Sequence, residues 1–204
     1  MALATPELKL VSGTSTLVIS GTGSTVTYSN TDFDGWDISI VFGSSNSPNL
    51  SGANGSFGID NVVLAACSDG TCSANPLDLF LSDTGFTQDV GAGGFTSVYS
   101  TTQVGGTTSQ LAWDSSANTI FGMGTPVGTV GPFTGSDLGS VSGGGSAGPS
   151  PYSLTLEDIF SDSEGPASFS TNGYMARTPE PNPMMLCGIG LALCWAALKW
   201  RRVS

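Results

Sequence analysis

Short segments in which apolar and polar residues alternate recur along the first 160 residues, and this period of two predicts β-strands. In such a strand, successive side chains point to opposite faces, so each segment presents one apolar face. Two sheets packed through their apolar faces would bury these positions. The residues predicted to share a buried face are Trp36, Ile38, Ile40 and Phe42; Leu77, Leu79 and Leu81; and Tyr152, Leu154 and Leu156.

The order of these segments predicts an all-β fold, an antiparallel, jelly-roll-like β-sandwich of about nine or ten strands. No stretch before residue 178 sustains a helical period over ten residues. Glycine-rich residues 122–150 are expected to form a loop. The domain is expected to cover residues 1–160, followed by a polar spacer at 161–178 with one further short strand at 167–170.

The C-terminal segment has a different pattern. Residues 184–198 contain no charge and no polar stripe, and a helix over 183–199 would be long enough to approach the hydrocarbon core of roughly 30 Å. The pattern therefore predicts a single transmembrane helix. A helix buried on a soluble domain, or one lying in the membrane interface, should show a polar face that this segment lacks.

Charge places the two ends of this helix on different sides of the membrane. Lys199, Arg201 and Arg202 follow the helix and should stay in the cytoplasm under the positive-inside rule. Residues 1–181 hold all 16 acidic residues and two of the five bases, a formal net charge of −14. We therefore expect an extracytoplasmic body that does not bind nucleic acid, because phosphate binding needs clustered Lys and Arg.

Thr178-Pro179-Glu180-Pro181, the apolar helix and the terminal basic cluster resemble the PEP-CTERM sorting signal of Gram-negative, biofilm-forming bacteria. The family usually has Val-Pro-Glu-Pro, where this chain has Thr178. The resemblance covers about 27 residues (179–204 and the preceding Thr). It implies a protein that is held in the inner membrane and then cut near Pro179, Glu180 and Pro181 by its partner, an exosortase.

Members of that family are exported through an N-terminal signal peptide. Met1 to Pro6 has neither a basic n-region nor an apolar h-region, yet Ala2-Leu3-Ala4 has the A-x-A pattern at which secretory signals end. We therefore expect that a signal segment precedes this sequence in the gene product.

Cys67 and Cys72 bracket a Ser-Asp-Gly-Thr turn and form a candidate disulfide, which would stabilise the fold by roughly 2 kcal/mol. The alternative is two free thiols in a hairpin. A zinc site is not expected, since two cysteines without histidine do not complete a tetrahedron.

Asn30, Asp32 and Asp34 read N-x-D-x-D-G, the opening of a calcium loop. The twelfth position is Val41 instead of the Glu of an EF-hand, so a β-turn is the preferred interpretation and a calcium site of another kind is the alternative. No other metal and no cofactor is expected.

The absence of histidine removes the usual general base and the common nucleophile pairs. Carboxylates at Asp32 and Asp34, and at Glu157, Asp158, Asp162 and Glu164, offer candidate glycosidase pairs, although nothing in the sequence marks two of them as partners. We expect no catalytic residue. Trp36 and Trp113 are either core residues or a platform on which sugar rings stack.

The sequence thus predicts an exported, exosortase-processed protein of the cell surface or extracellular matrix, without catalytic activity. The matrix role is implied by the family resemblance alone. A carbohydrate-binding β-sandwich module associated with exopolysaccharide is the alternative, and a secreted hydrolase is the second alternative.

Overall fold

The computed structural model describes residues 5–48, 58–67, 75–88, 94–145, 151–161 and 166–178, which form an antiparallel sandwich of two six-stranded sheets. Sheet A has the order β2 (Ser15–Ser20), β1 (Glu7–Ser12), β6 (Leu77–Phe86), β11 (Tyr152–Ser161), β8 (Thr107–Ser115) and β9 (Thr125–Phe133). Sheet B has the order β10 (Asp137–Gly143), β7 (Phe95–Val104), β12 (Ala167–Arg177), β5 (Ile59–Cys67), β4 (Trp36–Ser45) and β3 (Thr25–Phe33).

The prediction of an antiparallel β-sandwich is confirmed, and most predicted strands are present. In β6 and β11 the predicted apolar faces are buried, with Leu79 and Leu156 both fully inaccessible to solvent. No helix long and apolar enough to cross a membrane occurs in the described part of the chain. The predicted transmembrane helix at 183–199 lies outside the described residues.

The alternation predicted for β4 is wrong beyond Ile38. Asp37 and Ile38 pair with Ala66 and Ala65, but Ile40 pairs with Leu64, which leaves Ser39 as an extra residue. This β-bulge reverses the alternation, because an inserted residue exchanges the two faces of the strand after it. Consequently Val41 is buried, whereas Ile40 is 40% exposed.

The loop predicted at 122–150 is largely wrong, because β9 and β10 occupy most of it. These strands are edge strands of opposite sheets, and they pack against one another. Their sequences lack a strand signal partly because glycine stands where the two backbones approach. A Cβ on Gly128 would lie 2.5 Å from Cγ2 of Val141.

The spacer predicted at 161–178 is also wrong, since β12 fills residues 167–177 and pairs with β5 and β7 in the middle of sheet B. The backbone N–H of Thr178 donates to the carbonyl of Gly94. The sandwich therefore extends to the residue before the Pro-Glu-Pro motif.

A buried polar network connects the two sheets. Asp158 of sheet A accepts a hydrogen bond from Nε2 of Gln110 at 2.9 Å and one from Nδ2 of Asn61, in sheet B, also at 2.9 Å. Oγ of Ser97 donates to Oε1 of Gln110 at 2.8 Å. All four side chains are inaccessible to solvent. Burial raises the pKa of Asp158 to about 7, despite the opposing effect of its two amide donors.

Two inward positions in the middle of the central strand β12 hold residues that are not strongly apolar. Thr171 and Gly173 occupy inward positions, and a Cβ on Gly173 would collide with Nε2 of Gln110 and lie 2.7 Å from Oδ1 of Asn61. Gly173 thus leaves room for the amides that bind Asp158.

We predict that Gly173→Ala lowers the free energy of unfolding by roughly 1–3 kcal/mol, because its methyl group displaces the Gln110 amide. Gly135→Ala is the matched control, since a Cβ there meets nothing within 4 Å, and it should change stability by less than about 0.5 kcal/mol. Urea unfolding monitored by circular dichroism measures both. Equal stability of the two variants would contradict the packing described here.

We also predict that Asp158→Asn makes the protein more stable at pH 8 and flattens its pH dependence. The folded-state pKa of about 7 lies above the ordinary pKa of 3.8 for this side chain. At a pH between these two pKa values, the native state therefore binds more protons than the unfolded state. The free energy of unfolding consequently falls as the pH rises from about 4 to 7. The loss is on the order of 4 kcal/mol, at about 1.4 kcal/mol per pKa unit.

Urea unfolding at pH 5 and pH 8 tests this, with Asp137→Asn as an exposed-carboxylate control. An Asp158→Asn variant that is less stable than the wild type at pH 8 would show that the carboxylate form stabilises the native state.

Candidate functional site

Two neighbouring depressions lie across the outer face of sheet B and meet at Ser39. The first, of about 370 Å³, is lined mainly by side chains of β5, β7 and β12. The second, of about 560 Å³, is lined by β3 and β4. Together they form what we call the sheet-B groove. It crosses five adjacent strands, a span of roughly 19 Å at the usual strand spacing.

The strand register explains which side chains line the groove. One row across the sheet places Ile40, Leu64, Ser170 and Thr102 side by side. The next row places Ala66, Ser168 and Val104 beside Asp37 of β4. Small hydroxyl residues thus alternate with apolar ones on a surface that is open to solvent.

The β-bulge at Ser39 lies where the two depressions meet. The pairing of β3 with β4 is also irregular here, because Tyr28 pairs with Val41 and Asn30 with Ile38. Bulges bend a strand and redirect side chains, and they often occur beside binding sites. We attribute the groove to these coupled irregularities, which interrupt an otherwise continuous pleated surface.

The groove is almost uncharged, and its lining combines hydroxyl and amide groups with a larger apolar surface. Its lining includes serine and threonine hydroxyls, which both donate and accept hydrogen bonds, and the amide of Asn30. Asp37 is the one carboxylate among the described residues that line it. Leu64 and Val104 provide apolar surface and are 39% and 71% exposed. Such a surface suits a ligand that is itself rich in hydroxyl groups and has apolar patches.

The predicted calcium residues form a hydrogen-bonded turn next to one end of the groove. Oδ1 of Asn30 accepts from the backbone N–H of Asp32 at 3.1 Å, and Oδ1 of Asp32 accepts from that of Gly35 at 3.3 Å. Asp34 has a φ of 53°, in the left-handed region that Asp tolerates in turns. These contacts support the turn interpretation. No group of three or more Cys, Asp or Glu in the described ranges is arranged to hold a metal ion.

The two candidate stacking residues are not brought together. Trp36 is fully buried and its ring lies 6.0 Å from that of Phe169, so its assignment as a sugar-stacking residue is wrong and the core alternative is confirmed. It faces inward because it precedes the bulge. Trp113 is half-buried on the outer face of sheet A, opposite the groove.

The candidate carboxylates Glu157 and Asp158 are also separated. Glu157 and Asp158 are neighbours in β11 and therefore point to opposite faces, Asp158 into the core and Glu157 outward. Asp158 is inaccessible to any substrate. Asp162 and Glu164 lie outside the described residues.

Cys67 is buried and disulfide-bonded. Cys72 lies outside the described residues, as do the sorting residues Pro179, Glu180 and Pro181 and the basic residues Lys199, Arg201 and Arg202. The predictions for these residues stay predictions.

Sequence reasoning missed the groove residues Ser39, Thr102, Ser168 and Ser170. Serine and threonine are common throughout this chain, so nothing in the sequence distinguishes these four from the rest. The one available signal is the polar outer face of the short strand predicted at 167–170.

No family model matches the chain, and no curated protein matches it. Among solved structures, it is similar to the family 11 carbohydrate-binding module of Clostridium thermocellum in complex with a β-1,3-1,4-mixed-linked tetrasaccharide, with 11% identity, 88% of this chain and 100% of that chain covered, and a TM-score of 0.34.

It is also similar to the cleaved adhesin domain of Lys-gingipain from Porphyromonas gingivalis, with 13% identity, 77% of this chain and 100% of that chain covered, and a TM-score of 0.35. For the N-terminal cellulose-binding domain of Cellulomonas fimi β-1,4-glucanase C, the identity is 10%, the coverage 59% of this chain and 80% of that chain, and the TM-score 0.29. None of these similarities identifies a binding residue in this chain.

Proposed function

We propose that this chain is a non-catalytic polysaccharide-binding protein that holds a glycan chain in the sheet-B groove. The observation that carries the proposal is the groove itself, an open channel across five strands lined by hydroxyl, amide and exposed apolar groups. Hydroxyls of the protein match hydroxyls of a sugar, and the leucine and valine side chains match the apolar faces of pyranose rings.

An open groove also fits a polymer better than a small metabolite. Small-molecule sites usually enclose most of the ligand surface, whereas the sheet-B groove is a shallow depression on a sheet. A linear glycan could lie across the strands and leave at both ends. The strong negative charge of residues 1–181 disfavours polyanionic glycans, so the proposed ligand is a neutral polysaccharide.

We expect that replacing both Ser39 and Ser170 by Ala weakens binding of a neutral polysaccharide roughly thirtyfold. Each lost hydrogen bond contributes about 1 kcal/mol, and both side chains are exposed, so folding should be unaffected. Affinity electrophoresis of the full chain in gels containing mixed-linkage β-glucan, galactomannan, hydroxyethylcellulose or dextran measures the change.

Ser140→Ala is the matched control, because Ser140 is an exposed serine on β10 of the same sheet but outside the groove. If the double variant, the control and the wild type bind equally well, the groove is not the glycan-binding site. Hydrolysis of any of these glycans would contradict the non-catalytic assignment.

We further propose that the protein is exported and sorted by an exosortase, with the cut near Pro179, Glu180 and Pro181. The tripartite C-terminal sequence supports this proposal. The end of β12 at Arg177 is relevant to it, since the sandwich reaches to within one residue of Thr178 and leaves no long spacer before the motif.

We predict that the protein loses the residues beyond the Pro-Glu-Pro motif only in a host that contains an exosortase, and that Pro179→Ala combined with Pro181→Ala prevents the cut. Intact mass and membrane fractionation, with a signal peptide added, measure this. Asp137→Asn serves as the control variant. The same uncut mass in both hosts would mean that the C-terminal segment is not an exosortase substrate.

A further inference from the structure

The outer face of sheet A, opposite the groove, carries a cluster of aromatic and charged side chains. Lys9, Phe80, Glu157 and Leu111 lie side by side in one row across β1, β6, β11 and β8. Asp78 is two residues before Phe80 in β6 and therefore lies on the same face. We call this set, together with Phe121 and Trp113, the sheet-A cluster.

The ammonium group of Lys9 lies over the aromatic rings of this cluster and forms no ion pair with its carboxylates among the described residues. Its Nζ lies 3.8 Å from the ring centroid of Phe80 and 5.0 Å from that of Phe121, a cation–π arrangement. No ion pair between Lys9 and either Asp78 or Glu157 occurs in the described part of the chain.

Glu157 is the unusual member of the cluster, because it is only 9% exposed and makes no hydrogen bond among the described residues. Buried carboxylates are normally hydrogen-bonded or paired with a cation. Burial, and secondarily the nearby Asp78, raise the pKa of Glu157 to about 7, while Lys9 opposes the shift. The pKa of Asp78 is also raised by burial and lowered by Lys9. The β8 neighbours on this face, Leu111 and Trp113, do not titrate.

The loop over this face is held in a fixed shape. Phe121 has a φ of 55°, which is rare for a bulky residue and persists only where surrounding contacts impose it. Its backbone N–H donates to Oγ of Ser82 at 2.9 Å, and its ring meets that of Phe80 edge-on at 6.4 Å. Oγ1 of Thr155 donates to the carbonyl of Gly122 at 3.2 Å. The cluster is therefore preorganised and not a flexible surface.

We propose that the sheet-A cluster is a second glycan site, in which Glu157 and Asp78 bind the ammonium group of an amino sugar. A cation supplies the partner that Glu157 lacks, and the negative charge of residues 1–181 attracts it. The inference rests on the proposed function in one respect, that the ligand is a polysaccharide. Trp113, half-buried on the same face two residues beyond Leu111, offers a ring on which a pyranose can stack, which favours a sugar over a basic peptide.

The test compares a fully deacetylated glucosamine hexamer with its N-acetylated form, using isothermal titration calorimetry on the full chain at pH 6, where most of the hexamer's amines are already protonated and Glu157 is mostly neutral. We expect the deacetylated hexamer to bind at least tenfold more tightly. Glu157→Gln should weaken binding of the deacetylated hexamer about tenfold. Asp137→Asn, which removes the same charge from an exposed position of the opposite sheet, should leave binding unchanged.

Proton exchange separates a direct contact from a structural effect. A bound ammonium lowers the pKa of Glu157, so the wild type should release protons on binding, seen as a dependence of the measured heat on the ionisation enthalpy of the buffer. The Glu157→Gln variant should lose most of this dependence. Equal binding of the two hexamers, or unchanged proton release in the variant, would overturn the inference.

The two proposed sites can be tested separately, because each has its own variant. Ser39→Ala with Ser170→Ala should weaken neutral glycans and spare the deacetylated hexamer, whereas Glu157→Gln should do the reverse. If a lysine hexamer binds as tightly as the glucosamine hexamer, the site recognises cations in general and the assignment to amino sugars is wrong. If Glu157→Gln weakens neutral glycans equally, there is one site and not two.

Discussion

The sandwich depends on the way its two sheets satisfy a carboxylate placed between them. Asp158 belongs to sheet A, and one of its two amide donors, Asn61, belongs to sheet B. Apolar packing already opposes a shift of one sheet over the other, and this network adds a polar constraint, because a shift would leave a buried carboxylate without donors.

The network also determines the composition of the central strands. Gln110 needs space opposite β12, and Gly173 supplies it. Ser97 occupies an inward position of β7, where its hydroxyl donates to Gln110. Part of the inner face of sheet B is therefore polar, and hydrogen bonds to sheet A replace apolar contacts there.

The polar network also limits which strands can be predicted from the sequence. Strands whose inner faces are apolar, such as β6 and β11, were predictable from alternation alone. The full length of β12 was not, because its inward Thr171 and Gly173 face the polar network and carry no apolar signal. In β9 and β10, glycine replaces side chains at the close approach of two edge strands. The bulge at Ser39 was unpredictable because a one-residue insertion changes pairing without changing composition. The groove depends on that insertion, so it could not be predicted either.

The two outer faces have different physical characters, and this difference argues for two roles. The groove on sheet B is open, nearly uncharged and rich in hydroxyls, with no buried group in need of a partner. The cluster on sheet A is tightly packed and charged, and its buried Glu157 carboxyl makes no hydrogen bond among the described residues. The described chain leaves the sandwich at Thr178, at the end of a strand beside Gly94 and not across either face. Neither face is covered by the last described residues, so one domain offers two separate surfaces, one suited to a neutral ligand and the other to a cation.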